Sequence, residues 1–303
     1  MTAIETTGRG RVNGAAPSAS IRPPRDYAWV GLVPLFAFMT LFLVIPSISV
    51  FNRALTSNDG SKTFKALGKA FSGQNLDAFK FSVWLSAWAA IVGVVLGTLL
   101  AYAATIIRRP RWLRSLITSF SGVAANLGGI PLAFAFISLL GRQGLLTKIL
   151  SGLFHYNLYG GDFQLDTTAG LTAVYSYFNI PLMVLITLPA IDGIKQSWRE
   201  ACANLGGTSF TFWWRVGLPV LTPSLLGGFL LLFANSFSAY ATAAALSQKS
   251  LIVPLRIGFY LNGDISANED QLGFALASWM IVIMTVCMGL YWVLRKRAER
   301  WQQ

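Results

Sequence analysis

The stretch 195–223 reads KQSWREACANLGGTSFTFWWRVGLPVLTP. It carries Lys195, Arg199, Glu200 and Arg215, a glycine pair at Gly206 and Gly207, and prolines at 219 and 223, and long apolar runs bound it on both sides. A polar, turn-broken segment between two such runs marks a chain that leaves a membrane and re-enters it. The whole composition agrees, with 54% hydrophobic and 12% charged residues and a mean hydropathy of +0.56, far from a soluble average.

Working outward from that segment, six apolar runs lie at 27–51, 81–107, 116–140, 169–191, 220–246 and 272–294. Each is long enough to cross about 30 Å of hydrocarbon at about 1.5 Å per residue. The expected fold class is therefore all-α, a polytopic membrane protein with one six-helix domain over 27–297. Residues 1–26, rich in Gly, Ala, Ser, Pro and Arg, read as a disordered tail, and 298–303 as a short C-terminal tail. The first run is too long for the apolar part of a signal peptide and is expected to be retained.

Lys and Arg set the orientation. The cluster Arg108, Arg109, Arg111 and Arg114 and the tail Arg295, Lys296, Arg297 and Arg300 lie close to membrane ends, where the positive-inside rule applies. Both termini are expected in the cytoplasm, in a multi-pass protein of the inner (cell) membrane. The net charge of +12 then reads as a topology signal facing anionic membrane lipids, and nucleic acid is not an expected partner. Cys202 and Cys287 suggest no disulfide, and His155 stands alone, so no metal site is expected.

No Asp, Glu, Lys, Arg or His falls within the six runs, although ion-coupled carriers commonly need such groups at membrane depth. The sequence also lacks a Gly-x4-Gly-Lys-Ser/Thr phosphate loop and shows no catalytic motif. The expectation is a chain that is no enzyme and binds no cofactor, so that energy for transport comes from another subunit.

Within 195–223, Ile194, Trp198, Ala201, Cys202 and Leu205 recur at helical spacing, with Lys195, Arg199, Glu200 and Asn204 on the other side. A short amphipathic helix is expected, ended by left-handed backbone at Gly206-Gly207. Thr208 or Ser209 then caps a second short helix running through Trp213 and Trp214, and Leu218-Pro219 turns the chain into the next span. Two helices broken at a glycine turn, about 194–217, make a compact knob.

Glu200-Ala201-Cys202, three residues, Gly206, nine residues and Val216-x-Leu218-Pro219 resemble the motif Glu-Ala-Ala, three residues, Gly, nine residues, Ile-x-Leu-Pro. That motif belongs to permease subunits of binding-protein-dependent ABC importers. The resemblance covers the six runs and departs at Cys202 for Ala and Val216 for Ile. It implies a type I ABC importer permease fold in which the knob sits in a groove of an ATPase. Glu200 would contact that ATPase and Gly206 would supply the bend. It further implies two ATPase copies carrying ATP and Mg, a second permease, identical or paralogous, and an extracytoplasmic solute-binding protein, for which 60–75 and 264–271 are the expected outside surfaces.

Leu205 before the motif glycine resembles members of that family that move polyamines, phosphonates, ferric iron, thiamine or inorganic oxyanions, and the run from Asn235 to Leu246, followed by Ile252-Val253-Pro254-Leu255, resembles the spermidine/putrescine-type permeases and their phosphonate relatives. That implies a polyamine-like or related small charged solute. Polar residues and helix breaks nominate Asn126, Gly128, Gly129, Asn179, Asn235, Ser238, Tyr240 and Thr242 as pathway candidates, with Gly128, Gly129 and Pro131 interrupting the third run and Asn179 and Pro181 the fourth. Gly93 and Gly97 read as a helix-packing contact. The readings set against transport powered by a partner are an ATP-independent secondary carrier or channel, and a membrane scaffold.

Overall fold

The computed structural model describes residues 28–56, 61–106, 111–161, 163–247, 252–262 and 270–299. The expected tail 1–26, Arg108 and Arg109, most of 264–271, and 300–303 lie outside the described residues.

The described elements are helices in the order α1 (Ala28–Met39), a π-turn (Thr40–Val44), α2 (Ile45–Leu55), α3 (Lys65–Lys69), α4 (Gly73–Ile106), α5 (Arg111–Asn126), α6 (Gly129–Leu140) and α7 (Leu145–Leu153). There follow α8 (Thr168–Asp192), α9 (Gln196–Asn204), α10 (Ser209–Phe212), a second π-turn (Trp213–Gly217), α11 (Leu218–Phe237), α12 (Ala241–Leu246), α13 (Val253–Leu261) and α14 (Asp270–Glu299). Six helical segments are long and apolar enough to cross a membrane: Gly31–Leu55, Gly73–Ile106, Gly129–Leu153, Thr168–Asp192, Ser209–Phe237 and Asp270–Lys296.

The chain divides into two compact units at Pro46/Ser47. The first is a helix apolar all round, with Leu35, Phe36, Phe38, Leu41 and Phe42 exposed, as a span facing hydrocarbon requires. In the second, α8 is the central helix and lies against α4, α5 and α11, while α14 covers α11 and α13. The tightest approach is between α4 and α8. A Cβ at Gly97 would lie 2.6 Å from Met183 Cβ and 2.7 Å from the Ile180 carbonyl oxygen, and one at Gly93 would lie 2.8 Å from Asn179 Cβ. Without a hydrophobic force between helices in lipid, such backbone proximity is what dispersion attraction needs.

The third run is interrupted where expected, with Gly128 extended and Gly129 left-handed at φ +71°, but the chain restarts there as α6, so that the membrane-length segment is Gly129–Leu153 and not 116–140. Two further expectations change. The fifth run stops at Phe237, where Ser238 N–H bonds the Ala234 carbonyl and Ala239 N–H the Ser236 carbonyl, tightening the last turn before α12. The fourth run, in contrast, is uninterrupted through Asn179 and Pro181. Pro181 has no N–H for the Tyr177 carbonyl, yet its ring is buried and neighbouring helices hold the segment on several sides, which is how transmembrane helices tolerate proline.

The second half of the knob also differs. Rather than a separate helix and a turn at Leu218-Pro219, α10 runs through the second π-turn into α11, with Leu218 N–H bonding the Trp213 carbonyl. The first π-turn has the same form, Ile45 N–H bonding the Thr40 carbonyl, and in both a proline, Pro46 or Pro219, follows two residues after the turn ends. A proline ring clashes with the carbonyl four residues back, and one extra residue in the turn moves that carbonyl aside without breaking the helix.

Asn179 is fully buried and its Nδ2 donates to Ser236 Oγ on α11 at 2.8 Å. Asn179→Ala and Ser236→Ala should each lower stability, with a coupling of about 1 kcal/mol in a double-mutant cycle. Reversible unfolding in detergent would read it, and strict additivity would show that the bond contributes nothing.

Candidate docking knob and intramembrane cleft

The knob begins with α9, which has no buried residue. Ile194, expected on its apolar face, precedes the helix. Gly206 N–H bonds the Ala203 carbonyl and Gly207 N–H the Cys202 carbonyl, both at 2.9 Å, with Gly206 at φ +76°. This is the paired bonding of a Schellman stop. The two glycines serve different ends: Gly206 takes the left-handed backbone, whereas a Cβ at Gly207 would fall 2.5 Å from Cys202 Sγ. Thr208 then accepts a hydrogen bond from Thr211 N–H at 3.3 Å and caps α10.

Trp198, Ala201 and Cys202 of α9 and Leu205 just after it face Gly207, Thr211, Arg215, Val216 and Val220 across an apolar groove of about 550 Å³. Leu205 is 89% exposed, a large apolar side chain displayed on a polar knob. Glu200 is exposed and does not line the groove. Leu218 and Pro219, also exposed, lie at the start of α11. At the stem, Asp192, the last residue of α8, pairs with Arg114 near the start of α5. That pair is half exposed and is worth at most about 1 kcal/mol.

A second site lies where four helices end or begin. α5 stops at Asn126, α6 starts at Gly129, α11 stops at Phe237 and α12 starts at Ala241, around a cleft of about 370 Å³. Asn126, Gly128, Gly129, Asn235, Ser238, Tyr240 and Thr242 line it, with Phe178 and small alanines between them. Thr242 Oγ1 accepts from Gly129 N–H at 2.9 Å and so ties α12 to the restart of α6. From behind, Tyr175 OH donates to the Ala239 carbonyl at 3.1 Å and fixes the turn after α11. No charged side chain lines the cleft among the described residues. Helix ends at membrane depth are tolerated where they face protein or a water-filled cavity.

The structure brings seven of the eight pathway candidates together here and leaves out the eighth, Asn179. The side chain at 178 reaches the cleft, and one helical step of about 100° turns Asn179 behind it toward α4 and Ser236. Phe178 was missed because an apolar aromatic in an apolar run gives no sequence signal of lining a cavity.

A family profile described as "Binding-protein-dependent transport system inner membrane component" matches residues 93–300. The chain belongs to that family. It is a permease component of an importer of the inner membrane, and the match takes in α9, the glycine stop and every residue of the cleft. Among curated relatives, the molybdenum transport system permease protein ModB of Mycobacterium tuberculosis is 28% identical over 269 residues, covering 87% of this chain and 93% of that protein. A probable sulfate transport system permease protein, cysT, of Helicosporidium sp. subsp. Simulium jonesii is 23% identical over 265 residues, covering 86% and 90%. The solved structure of a bacterial ABC transporter involved in import of the acidic polysaccharide alginate shares the fold, with a TM-score of 0.66 at 16% identity over 90% of this chain and 95% of that one.

Proposed function

We propose that the chain is one of two permease subunits of an ATP-driven importer. The knob of each docks on a cytoplasmic ATPase that holds ATP and Mg, a binding protein delivers solute from the other side, and the cleft forms part of the solute's path. One observation carries this reading. The helical run Ser209–Phe237, 29 residues and about 43 Å long, starts in the knob and ends in the wall of the cleft, so that movement of one moves the other. α8 repeats the arrangement, with Phe178 in the cleft and Asp192 at the knob's stem.

For the cargo we propose a small oxyanion. The cleft offers amide and hydroxyl groups, and its lining contains no carboxylate to meet an ammonium group. Relatives named as sulfate and molybdenum transport permeases support this class over the polyamine-like solute expected from the 235–246 run.

Proteoliposomes containing the chain with its ATPase, second permease and binding protein test the reading through uptake of labelled sulfate, molybdate and spermidine. Oxyanion uptake that needs ATP is expected. Asn235→Leu with Tyr240→Leu should cut it by about tenfold, the loss of one or two hydrogen bonds, with ATPase association retained. Uptake by the chain alone without ATP would overturn the importer reading in favour of a secondary carrier, and spermidine uptake would overturn the cargo.

A further inference from the structure

Almost nothing fastens α9 to the bundle, since none of its residues is buried. The exception is Arg199, one residue before Glu200. Its guanidinium carbon lies 5.3 Å from the Phe212 ring centroid and 5.4 Å from that of Trp213, within the range of cation–π attraction. Phe212 is buried. Trp213 packs edge-on against Tyr102 of α4, with centroids 4.9 Å apart at 86°. On a third side, a Cβ at Gly217 would come within 2.4 Å of the indole Cε3, so the π-turn leaves room for that ring only because residue 217 is glycine.

Trp213 is thus held by α9, by α4 and by its own turn. Within that turn the Leu218 N–H reaches five residues back to the Trp213 carbonyl, and Pro219 offers no N–H to continue the ladder.

We propose that Arg199 is the positioning residue that fastens the docking helix to the fifth span and to α4, with Trp213 as the part it grips. The proposal rests on the docking reading of the knob. Displacement of α9 by a partner at Glu200 is then passed through the Arg199 guanidinium to the indole, and so to α11 and α4 together, and not only along the backbone through the Gly206 stop. Lysine keeps the charge in this role and loses the flat face that covers two rings.

The test uses the complete transporter, with Cys202→Ala and Cys287→Ala to remove the native thiols and Ser238→Cys as a reporter in the cleft. Maleimide labelling of that cysteine is compared with and without ATP and vanadate, and ATPase co-purification is measured on the same preparations. Arg199→Ala should keep the ATPase at the level of the unsubstituted chain while the nucleotide-dependent change in labelling falls by about tenfold, as loss of contact with two rings implies. Arg199→Lys should keep an intermediate response, and Trp213→Leu should reproduce Arg199→Ala with no further loss in the double variant.

A full labelling response in Arg199→Ala overturns the proposal. So does loss of the ATPase from that variant, which would make Arg199 a docking contact. Additive losses in the double variant would show two unrelated effects. If the chain with native Arg199 neither holds an ATPase nor responds to nucleotide, the docking reading fails first and this one with it.

Discussion

Gly206→Val is expected to reduce ATP-driven import by about thirtyfold while the chain still inserts in the membrane. The backbone at 206 has φ +76°, and that left-handed conformation costs an L-residue about 1–2 kcal/mol, with β-branched side chains at the upper end or beyond. About 2 kcal/mol against the native turn corresponds to roughly a thirtyfold loss of the docked geometry. A Cβ at 206 meets nothing within 4 Å, so the loss comes from the backbone and not from a clash. Gly206→Asn, which tolerates this conformation better, should therefore retain more import than Gly206→Val. The check is uptake per inserted chain, and full import by Gly206→Val would sink the docking model of the knob.

Gly97→Leu is expected to prevent the folded bundle from forming. The first added carbon would already sit 2.6 Å from Met183 Cβ and 2.7 Å from the Ile180 carbonyl oxygen, against about 3.5–4.0 Å for ordinary carbon contact. The second of these is backbone at the centre of the unit, so α4 and α8 must separate along their shared length. Overpacking costs about 1–3 kcal/mol where side chains can give way, and here the nearest atoms cannot. Gly97→Ala should fall in the same direction with a smaller loss. Gly289→Ala, where a Cβ meets nothing within 4 Å, is the matched control and should be neutral. Yield of monodisperse protein and its thermal midpoint in detergent measure all three, and an unchanged midpoint for Gly97→Leu would refute the α4–α8 contact.

The family assignment bears on these outcomes in different ways. A failure of the Gly97 prediction would concern only the packing of this chain. A failure at Gly206 would reach the mechanism, because the glycine stop orients the helix that carries Glu200.

Much of this architecture was legible in the residues because its causes are local. A run of about 20 apolar side chains is a span whatever surrounds it. Gly206 announced the end of α9 because few residues other than glycine take its φ. The polar side chains in apolar runs announced the cleft-forming region, since irregular or polar backbone at membrane depth needs a cavity or a protein partner. The π-turns, too, have a local cause in Pro46 and Pro219, although hydropathy carries no trace of them.

By itself, then, the sequence determined the class of the protein, the number of its spans and the turn that shapes its knob, each set by residues within a few positions of one another. Only the tertiary structure decided that Asn179 turns away from the cleft while Phe178 enters it, that the fifth run stops at Phe237, and that Arg199 reaches Phe212 and Trp213. These depend on how helices distant in sequence approach through Gly93 and Gly97, and on the rotation each adopts there, and neither hydropathy nor backbone preference specifies those two quantities.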